Sequence, residues 1–448
     1  MASVLPPGPP LPALAQAGLA WLIPLRILHI CQRRYGDRFT LKIPGFGTMI
    51  CLVDRDDIKT VLRADPRIFH AGEANMPLAE ILGSRSVLVV DDEQHRRSRG
   101  LMLPAFHGDS VRKQVTEMAD ITAEDVAHWP VGTEFPLLSR TRAITLEIIL
   151  RTVIGVHDKG RLAALREALP PMVEIGSPLE LLPPPRLLRN VGLWRRREQN
   201  KARAHRLLLD EIARCRRDPN LAQRTDVLAM MVRASSGGDV DEQPMNDAEL
   251  LDQVVTLLLA GHETTAAALA WAFERLIRNP ELLERTAQAA AHGDEAWLDA
   301  VCKETLRARP VVWMISRKLT EPVELAGYRL PAGVMVAPVI TLVHRDERYY
   351  PEPEAFRPQR FLDKRADMSV WLPFGGGIRR CLGATFAQVE MRVVLRGILR
   401  RVELAPTTAP AEPILVRHVT LVPRQGAMAT VRRHVTANTD VATNTAPR

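Results

Sequence analysis

The most informative segment of this sequence is Phe374-Gly375-Gly376-Gly377-Ile378-Arg379-Arg380-Cys381-Leu382-Gly383. One cysteine follows a glycine-rich turn and two arginines, and a helical pattern begins just after it, near Ala384. Glycine lets the backbone approach a bulky group, while neighbouring arginines and a helix N-terminus favour the thiolate form of cysteine. The stretch therefore predicts a thiolate that is held rigidly against something large and flat.

Ligation of haem iron is one established use of such a thiolate. Five residues, Phe374, Gly377, Arg379, Cys381 and Gly383, fill the pattern Phe-x-x-Gly-x-Arg-x-Cys-x-Gly, which resembles the haem-binding signature of the cytochromes P450. The resemblance implies haem b with Cys381 as its axial metal ligand, and it places Phe374 and Gly377 among the cofactor-binding residues. A buried free cysteine in an ordinary loop is the alternative.

The composition excludes several other classes of protein. Of the 448 residues, 46% are hydrophobic, and the abundant Ala, Leu and Arg favour helix. The five cysteines form no Cys-x-x-Cys pair, which argues against a zinc ribbon or a disulfide framework and favours a reducing compartment. The net charge is +8, but no basic block with interleaved aromatic residues indicates nucleic-acid binding. An acidic protein partner or an ordinary solvated surface explains the charge better.

The N-terminal region predicts no signal peptide and no membrane anchor. Residues 1–10 are rich in proline and lack a basic start. Residues 11–30 are largely apolar, but Pro12, Pro24 and Arg26 interrupt them, whereas a spanning helix needs about 20 continuous apolar residues. We expect a cytoplasmic monomer in which this segment forms a buried or surface-lying helix.

The periodicity of the chain predicts a mainly α fold with a minor β region. Residues 39–43 and 48–53 alternate like a hairpin, and short strands are expected between 315 and 340 and after Pro406. The longest helical pattern runs from Asn246 to Arg278, with Asn246 and Glu249 as a capping pair. Prolines at 170–171 and 183–185 are expected to break the middle region, and residues 434–448 to be disordered.

A polar group lies in the middle of that longest helix, in the run Ala260-Gly261-His262-Glu263-Thr264-Thr265. A threonine hydroxyl can bond a carbonyl one turn back and bend the helix, so we expect a locally opened turn. The run resembles the oxygen-activation motif of the P450 family. The resemblance places Ala260 with the cofactor-binding residues, assigns Thr264 to hydrogen bonding with dioxygen, and assigns Glu263 to proton relay. A satisfied polar patch in a buried helix is the alternative.

Two further groups of charged residues gain meaning from the same resemblance. Glu304 and Arg307 are spaced at i, i+3, and Arg360 lies in Pro358-Gln359-Arg360-Phe361, which is similar to the family's Pro-x-Arg-Phe element. The resemblance makes these three a buried ion network with a structural role, although an exposed helix pair would look alike in sequence. It also assigns the two carboxylates of haem to four residues: His95, Arg99, Arg317 and Arg379.

The motifs from His95 to Gly383 occur in the family's order, and the chain is identified as a member of the bacterial-type cytochromes P450. The resemblance implies one domain over residues 1–433, shaped as a triangular prism, with haem between the long helix and the Cys381 loop. It implies a monooxygenase that inserts one atom of dioxygen into a hydrophobic substrate such as a fatty acid, terpenoid or steroid. A hydrogen-peroxide-driven peroxygenase and a non-catalytic haem sensor remain as alternatives.

The substrate and the electron donor are the least determined partners. No flavin or nicotinamide fingerprint appears, so a separate ferredoxin or flavodoxin with its reductase is implied. The apolar candidates for the substrate pocket are Leu257, Val311, Val312, Trp313 and Met314, with the loop from Met76 to Val90. The basic candidates for the redox-partner surface are Arg112, Lys113, Arg380, Arg392, Arg396 and Arg400, which could equally be solvated or paired with acids.

Overall fold

The computed structural model describes residues 5–173, 192–235, 244–362, 366–417 and 420–435. Helices make up most of it. In chain order they are α1 (Ala13–Leu22), α2 (Pro24–Tyr35), α3 (Arg55–Arg63), α4 (Ala71–Ala74), α5 (Ala79–Leu82), α6 (Asp92–Met102), α7 (Gly108–Arg112), α8 (Val115–Val126), α9 (Leu137–Ile148), α10 (Lys159–Val173), α11 (Gly192–Arg216), α12 (Val227–Ala234), α13 (Asp247–Leu276), α14 (Pro280–His292), α15 (Glu295–Ala308), α16 (Ile340–Val343) and α17 (Ala384–Leu399).

Short strands form four small sheets. In chain order they are β1 (Arg38–Ile43), β2 (Gly47–Leu52), β3 (Phe69–His70), β4 (Glu134–Pro136), β5 (Arg317–Leu319), β6 (Val323–Leu325), β7 (Tyr328–Leu330), β8 (Met335–Pro338), β9 (Val402–Leu404), β10 (Ile414–Arg417), β11 (Thr420–Pro423) and β12 (Met428–His434). The largest sheet has the order β1-β2-β8-β5-β3, and the others are β4-β12-β9, β10-β11 and β6-β7. The predicted hairpin and the mainly helical fold with a minor β region are confirmed.

Helix α13 begins and ends where local chemistry requires. The side chain of Asn246 accepts a hydrogen bond from the backbone N–H of Glu249, and the Glu249 carboxylate accepts one from the N–H of Asn246, so the predicted capping box is present. Asn279 then caps the next helix and Pro280 occupies its first position, which ends α13 and starts α14. Helix α13 therefore crosses the whole core as one continuous element.

Two expectations about chain breaks are wrong within the described residues. Helix α10 continues through Pro170 and Pro171 to Val173, so these prolines do not end it. The predicted disordered tail begins too early, because His434 still belongs to β12 and pairs with Val402 of β9. The prolines at 183–185 and residues 436–448 lie outside the described residues.

A single apolar cluster of buried side chains extends from Ile27 to Val431. The interpretation of residues 1–433 as one domain stays a prediction, which this continuous core supports. Among the described residues, one helix, α13, is long enough and apolar enough to cross a membrane. However, 67% of its most apolar 18-residue segment is buried inside the protein. Helices α1 and α2 pass the same test only as a pair, and a bend of 120° separates them.

Candidate active site

The loop that carries Cys381 is held by its own backbone and by the preceding aromatic residues. The N–H of Cys381 donates to the carbonyl of Phe374 at 2.9 Å, and the N–H of Gly375 donates to the carbonyl of Leu372 at 3.0 Å. The rings of Trp371 and Phe374 meet edge to face with centroids 5.9 Å apart. These contacts fix the loop before α17 begins, as the predicted rigid thiolate requires.

Gly377 is required by this loop for two reasons. Its φ of +63° lies in the left-handed region, and a Cβ built on it would lie 2.0 Å from the carbonyl oxygen of Leu62. No side chain fits at that distance, because the obstacle is backbone and not a flexible side chain. The close approach that selects glycine here is therefore to α3, the helix that contains Leu62.

Cys381 differs from the other four cysteines, all of which lie in described segments. Cys31, Cys51, Cys215 and Cys302 are buried, whereas Cys381 is exposed and lines a cavity of about 420 Å³. Many protein atoms surround the thiol on the side away from this cavity, and the resulting loss of hydration raises its pKa. A hydrogen bond from the backbone of Gly383 and the charges of Arg99 and Arg380 act in the opposite direction and favour the thiolate.

Three cationic or donor side chains near this loop lack a carboxylate partner. Within the described segments, no hydrogen bond or salt bridge reaches the side chains of His95 or Arg99, and Arg317 donates only to the carbonyl of Ser316, at 2.9 Å. Burial lowers the pKa of Arg317 to about 10 and that of His95 to about 4, with the charge of Arg379 adding to both shifts. Buried cations without anions are unstable unless a ligand supplies the negative charge. The set therefore fits a cofactor that carries carboxylates, such as haem.

Arg379 differs from those three residues because it already has partners. Its guanidinium donates to the carbonyls of Val90, at 2.8 Å, and Val87, at 3.3 Å, and it forms an ion pair with Asp91. Asp91 also accepts from the backbone N–H groups of Gly72 and Glu73 at the start of α4. The role of Arg379 at a haem carboxylate stays a prediction, and in this structure Asp91 holds the guanidinium.

In the polar group of α13, the predicted hydrogen bond from a threonine hydroxyl to a carbonyl one turn back is present, but the predicted local opening of the helix is not. The hydroxyl of Thr264 donates to the carbonyl of Ala260 at 2.5 Å, yet the helix is continuous through this turn. Glu263 does not point freely into the site, since Arg142 of α9 donates to its Oε2 at 2.9 and 3.2 Å. Ala260 is exposed and Thr264 is half-buried, so both face accessible space.

The irregular turn lies in the neighbouring helix instead. After Ile148, α9 widens into a π-helical turn over Ile149–Val153, a feature that is frequent at functional sites. A Cβ on Gly261 would lie 2.6 Å from Cδ1 of Ile149. Gly261 therefore makes room for the π turn to pack against α13, which sequence reasoning missed because the contact joins two distant segments.

The proposed ion network of Glu304, Arg307 and Arg360 is buried at its centre. The Arg307 guanidinium donates to both carboxylate oxygens of Glu304 at 2.8 Å, and both side chains are fully buried. Arg360 is more distant, with its Nε 3.6 Å from Glu304, and its main bond goes to the carbonyl of Glu352. The core of the network is therefore a pair, and Arg360 lies at its edge.

His344 connects this pair to the cysteine loop, and sequence reasoning did not find it. Its Nε2 accepts from the N–H of Leu372 at 2.9 Å, so its Nδ1 carries the proton and donates to the carbonyl of Arg307 at 3.1 Å. Burial lowers the pKa of His344 to about 3, which keeps the ring neutral as this pattern requires. Arg307 also donates to the His344 carbonyl at 3.0 Å. No local motif surrounds His344 that would have indicated this role.

Four of the predicted pocket residues follow α15, and Leu257 lies on α13. Val311 is buried, Val312 forms a bridge with Thr420, and Trp313, Met314 and Leu257 are partly buried. The predicted loop from Met76 to Val90 begins with two helical turns, at Met76–Leu78 and Ala79–Leu82. Neither of the two cavities described for the molecule is lined by these residues, so the pocket stays a prediction.

The predicted basic stripe on α17 is paired with acids. Arg392 bonds to Asp299 at 2.8 Å, and Arg396 bonds to Glu295 at 2.5 Å, both acids being on α15. Arg112 forms an ion pair with Asp109 one turn away, while Lys113 and Arg400 are exposed. Arg112, Arg380, Cys381 and Arg99 line the same cavity. The cations that line the cavity beside the thiol therefore come from the Cys381 loop and from α6 and α7.

Comparison with known proteins finds one family throughout this chain. The model of the family described as Cytochrome P450 matches residues 5–431. The chain is 53% identical to putative cytochrome P450 135B1 of Mycobacterium tuberculosis, over 96% of this chain and 91% of the relative. It is 40% identical to putative cytochrome P450 135A1 of the same species, over 94% of each.

Two solved structures share the fold. Retinoic acid bound cyanobacterial CYP120A1 superposes with a TM-score of 0.83 at 23% identity, covering 97% of this chain and 100% of that one. CYP175A1 from Thermus thermophilus superposes with a TM-score of 0.72 at 28% identity, covering 94% of this chain and 98% of that one. Both matches cover nearly all of the chain.

Proposed function

The chain belongs to the cytochrome P450 family, whose members are haem monooxygenases, and on that premise we propose that Cys381 is the axial thiolate ligand. The observation that carries the proposal is the exposure of this one thiol in a loop fixed by backbone bonds, while the other four cysteines are buried in the core. Haem supplies the oxidising chemistry when bound, and the protein orients the substrate and sets the surroundings.

The carboxylates of the cofactor are assigned to the cations without partners. Arg99 and Arg317 would each donate to a carboxylate, and neutral His95 would add one N–H, which restores the charge balance that burial of these residues requires. Arg379 would contribute its positive charge without bonding directly to a carboxylate of the cofactor, because its guanidinium is paired with Asp91. This division of roles explains why four basic groups converge on one loop.

Proton delivery is assigned to Glu263 and Thr264. The two bonds from Arg142 reach Oε2 of Glu263, while Oε1 lies 4.0 Å from Nδ1 of His262. Oε1 would be the atom that takes up and releases protons. The Thr264 hydroxyl would exchange its bond to the Ala260 carbonyl for one to a group in the site, and so orient the proton that is delivered.

The substrate is proposed to be hydrophobic, of fatty-acid, terpenoid or steroid class. This rests on the predicted lining of the pocket, Val311 to Met314 and Leu257, which contains no acid or base. Apolar walls select substrates by area and shape, with few polar anchors. The finer identity of the substrate follows from a screen of such compounds against the purified protein.

Electrons are proposed to come from a separate acidic ferredoxin or flavodoxin with its reductase. The cavity beside Cys381 is bordered by Arg99, Arg112 and Arg380, and Lys113 is exposed next to it. A positive patch steers a negative partner to the face nearest the thiol. We propose a cytoplasmic monomer as the working form.

Turnover with different donors tests this function. The haem-loaded protein is first screened with lipids, terpenoids and steroids for a shift of the Soret band, and the best compound is then incubated with ferredoxin, reductase and reductant. We expect product only when dioxygen and the electron donors are present. Product from hydrogen peroxide alone, at a higher rate, would support a peroxygenase. No product under any condition, despite binding, would support a sensor.

A further inference from the structure

Helix α1 has its polar and apolar sides reversed relative to a normal surface helix. Leu14 is 79% exposed and Leu22 is 76% exposed, whereas Gln16 is only 4% exposed. The buried amide donates to the carbonyl of Leu11 at 2.9 Å, and its Oε1 accepts from the N–H of Lys42 at 2.9 Å. The glutamine thus fastens the inner side of α1 to β1, and the leucines remain outside.

The outward residues of α1 form one continuous apolar face. Leu14, Ala15, Gly18 and Leu22 are all exposed, and at 100° per residue they fall within about 100° of arc. No charged residue occurs anywhere in α1. Single exposed leucines are ordinary on protein surfaces, but a contiguous apolar face marks an interaction site.

Further exposed apolar residues occur on or beside the elements that pack against α1, which are β1 and α2. Phe46, in the turn between β1 and β2, is 46% exposed, and Leu11 and Ile30 are 42% and 52% exposed. We call these residues with the α1 face the apolar plate. The plate consists of Leu11, Leu14, Ala15, Gly18, Leu22, Ile30 and Phe46.

The exposed charges beside this plate are mostly positive. Arg26, Arg33 and Arg34 are exposed on α2, and Lys42 is exposed on β1. No aspartate or glutamate precedes Asp37 in the chain, and Asp37 is itself paired with Arg348 at 2.8 Å. Glu354 is the acid that acts on His29 of α2, and it is paired with Arg345 at 3.5 Å. An apolar centre beside mostly basic side chains is complementary to a surface that is apolar inside and anionic outside.

We propose that the apolar plate and the basic side chains beside it dock this protein onto an anionic phospholipid bilayer. Helix α1 would lie in the plane of the interface with Leu14 and Leu22 among the acyl chains, while the arginines and Lys42 contact headgroup phosphates. The 120° bend between α1 and α2 prevents the pair from crossing the bilayer as one straight span. The attachment is therefore peripheral, and the catalytic domain stays outside the bilayer.

A second copy of the chain is the other partner that could cover an apolar plate. A symmetric contact would bring Arg26, Arg33 and Arg34 of both copies to one interface with no acid in residues 1–36 to compensate. Like charges at an interface repel, which favours the lipid surface over self-association.

Co-sedimentation of the haem-loaded full chain with vesicles tests the proposal. We expect binding to vesicles of phosphatidylcholine with phosphatidylglycerol, weaker binding to phosphatidylcholine alone, and loss of the difference in high salt. L14S/L22S should weaken binding to both vesicles at least tenfold. R26E/R33E should remove the preference for the anionic vesicles. Since all four side chains are exposed, haem content and melting temperature should stay unchanged.

Two control variants separate this site from general effects. V131S replaces an apolar residue that is 51% exposed beside β12, and R214E/R217E reverses two exposed charges, one in the last turn of α11 and one just after that helix. Both should bind vesicles as the wild type does. Equal loss in the controls, or no binding of the wild type to anionic vesicles, overturns the proposal. A dimer at assay concentration that L14S/L22S dissociates would show that a second copy covers the plate, and would overturn it as well.

Discussion

Among single residues, Glu390 is an acid whose environment cannot accommodate its charge. It lies on α17 and is fully buried, and within the described part of the chain neither carboxylate oxygen has a hydrogen-bond partner of normal geometry. The nearby hydroxyl of Thr265, on α13, is the polar group that favours its charged form. Burial outweighs that effect and raises the pKa of Glu390 well above its usual range, which favours the neutral acid in the folded protein.

Glu390→Gln should change how stability depends on pH. Above the pKa of the unfolded carboxyl, about 4.3, the unfolded state loses its proton while the folded state keeps it. The free energy of unfolding of the wild type should therefore fall as pH rises, by up to about 1.4 kcal/mol per pH unit relative to Glu390→Gln. Urea unfolding of both proteins from pH 5 to 8 measures this difference. Parallel curves would show that Glu390 is ionised in the folded protein.

Thr264→Ala should separate reductant consumption from product formation. Without the hydroxyl that now bonds to the Ala260 carbonyl, proton delivery into the site would lose its orientation, so peroxide is expected in place of product. Thr264→Ser, which keeps the hydroxyl, is the matched control and should stay coupled. Peroxide and product are measured per equivalent of reductant. Full coupling in Thr264→Ala would remove Thr264 from proton delivery.

At the level of elements, local signals predicted the fold well where the chemistry is local. The capping box at Asn246, the stop at Pro280 and the hairpin over residues 38–52 depend on neighbours in sequence, and all three are present. The predicted break at Pro170 and Pro171 is wrong because proline disfavours a helix interior without excluding it, and α10 continues past both residues. The π turn after α9 depends on packing against Gly261, which no local pattern encodes.

The site residues also divide into those indicated by local motifs and those that depend on contacts between distant segments. Cys381, Glu304 and Arg307 lie in recognisable motifs, and the structure places them in a fixed loop and a buried pair. Asp91, which holds Arg379, is almost 300 residues away from it in sequence, at a separation of 288. Contacts of that range arise from tertiary packing. The sequence alone assigns Arg379 to a ligand because it does not show that Asp91 competes for the same guanidinium.

Arg307→Leu should prevent accumulation of haem-loaded protein. The variant leaves the Glu304 carboxylate buried without its partner, at a cost of about 3–5 kcal/mol, which is a large part of a typical stability of about 5–15 kcal/mol. It also removes the bond to the His344 carbonyl beside the cysteine loop. Haem per polypeptide and the unfolding midpoint are the measurements.

Arg357→Leu is the control for this prediction. Arg357 is half exposed and its side chain pairs with the exposed Glu352, so its loss should cost about 0–1 kcal/mol. Its backbone N–H donates to Glu304 at 2.8 Å and is kept in the variant. Equal stability of both variants would show that the Glu304–Arg307 pair does not support the fold.

For the whole molecule, the net charge of +8 is informative only once pairing is known. Arg392 and Arg396 of α17 are paired with acids of α15, whereas Arg99, Arg112 and Arg380 line the cavity beside the thiol. Arg112→Gln/Lys113→Gln should therefore slow electron transfer from an acidic ferredoxin several-fold at low salt, with less effect at high salt. Arg392→Gln/Arg396→Gln is the charge-matched control and should have a smaller effect. A larger effect in the control would place the partner on α17.

The proposal that Cys381 is the thiolate ligand of haem can be tested with one spectrum, that of the reduced carbon monoxide complex. The wild type should show the strongly red-shifted Soret band of thiolate ligation. Cys381→Ala should lose that band, and Cys302→Ala, which changes a buried cysteine in α15, should keep it. Retention of the band in Cys381→Ala would show that Cys381 is not the ligand of haem.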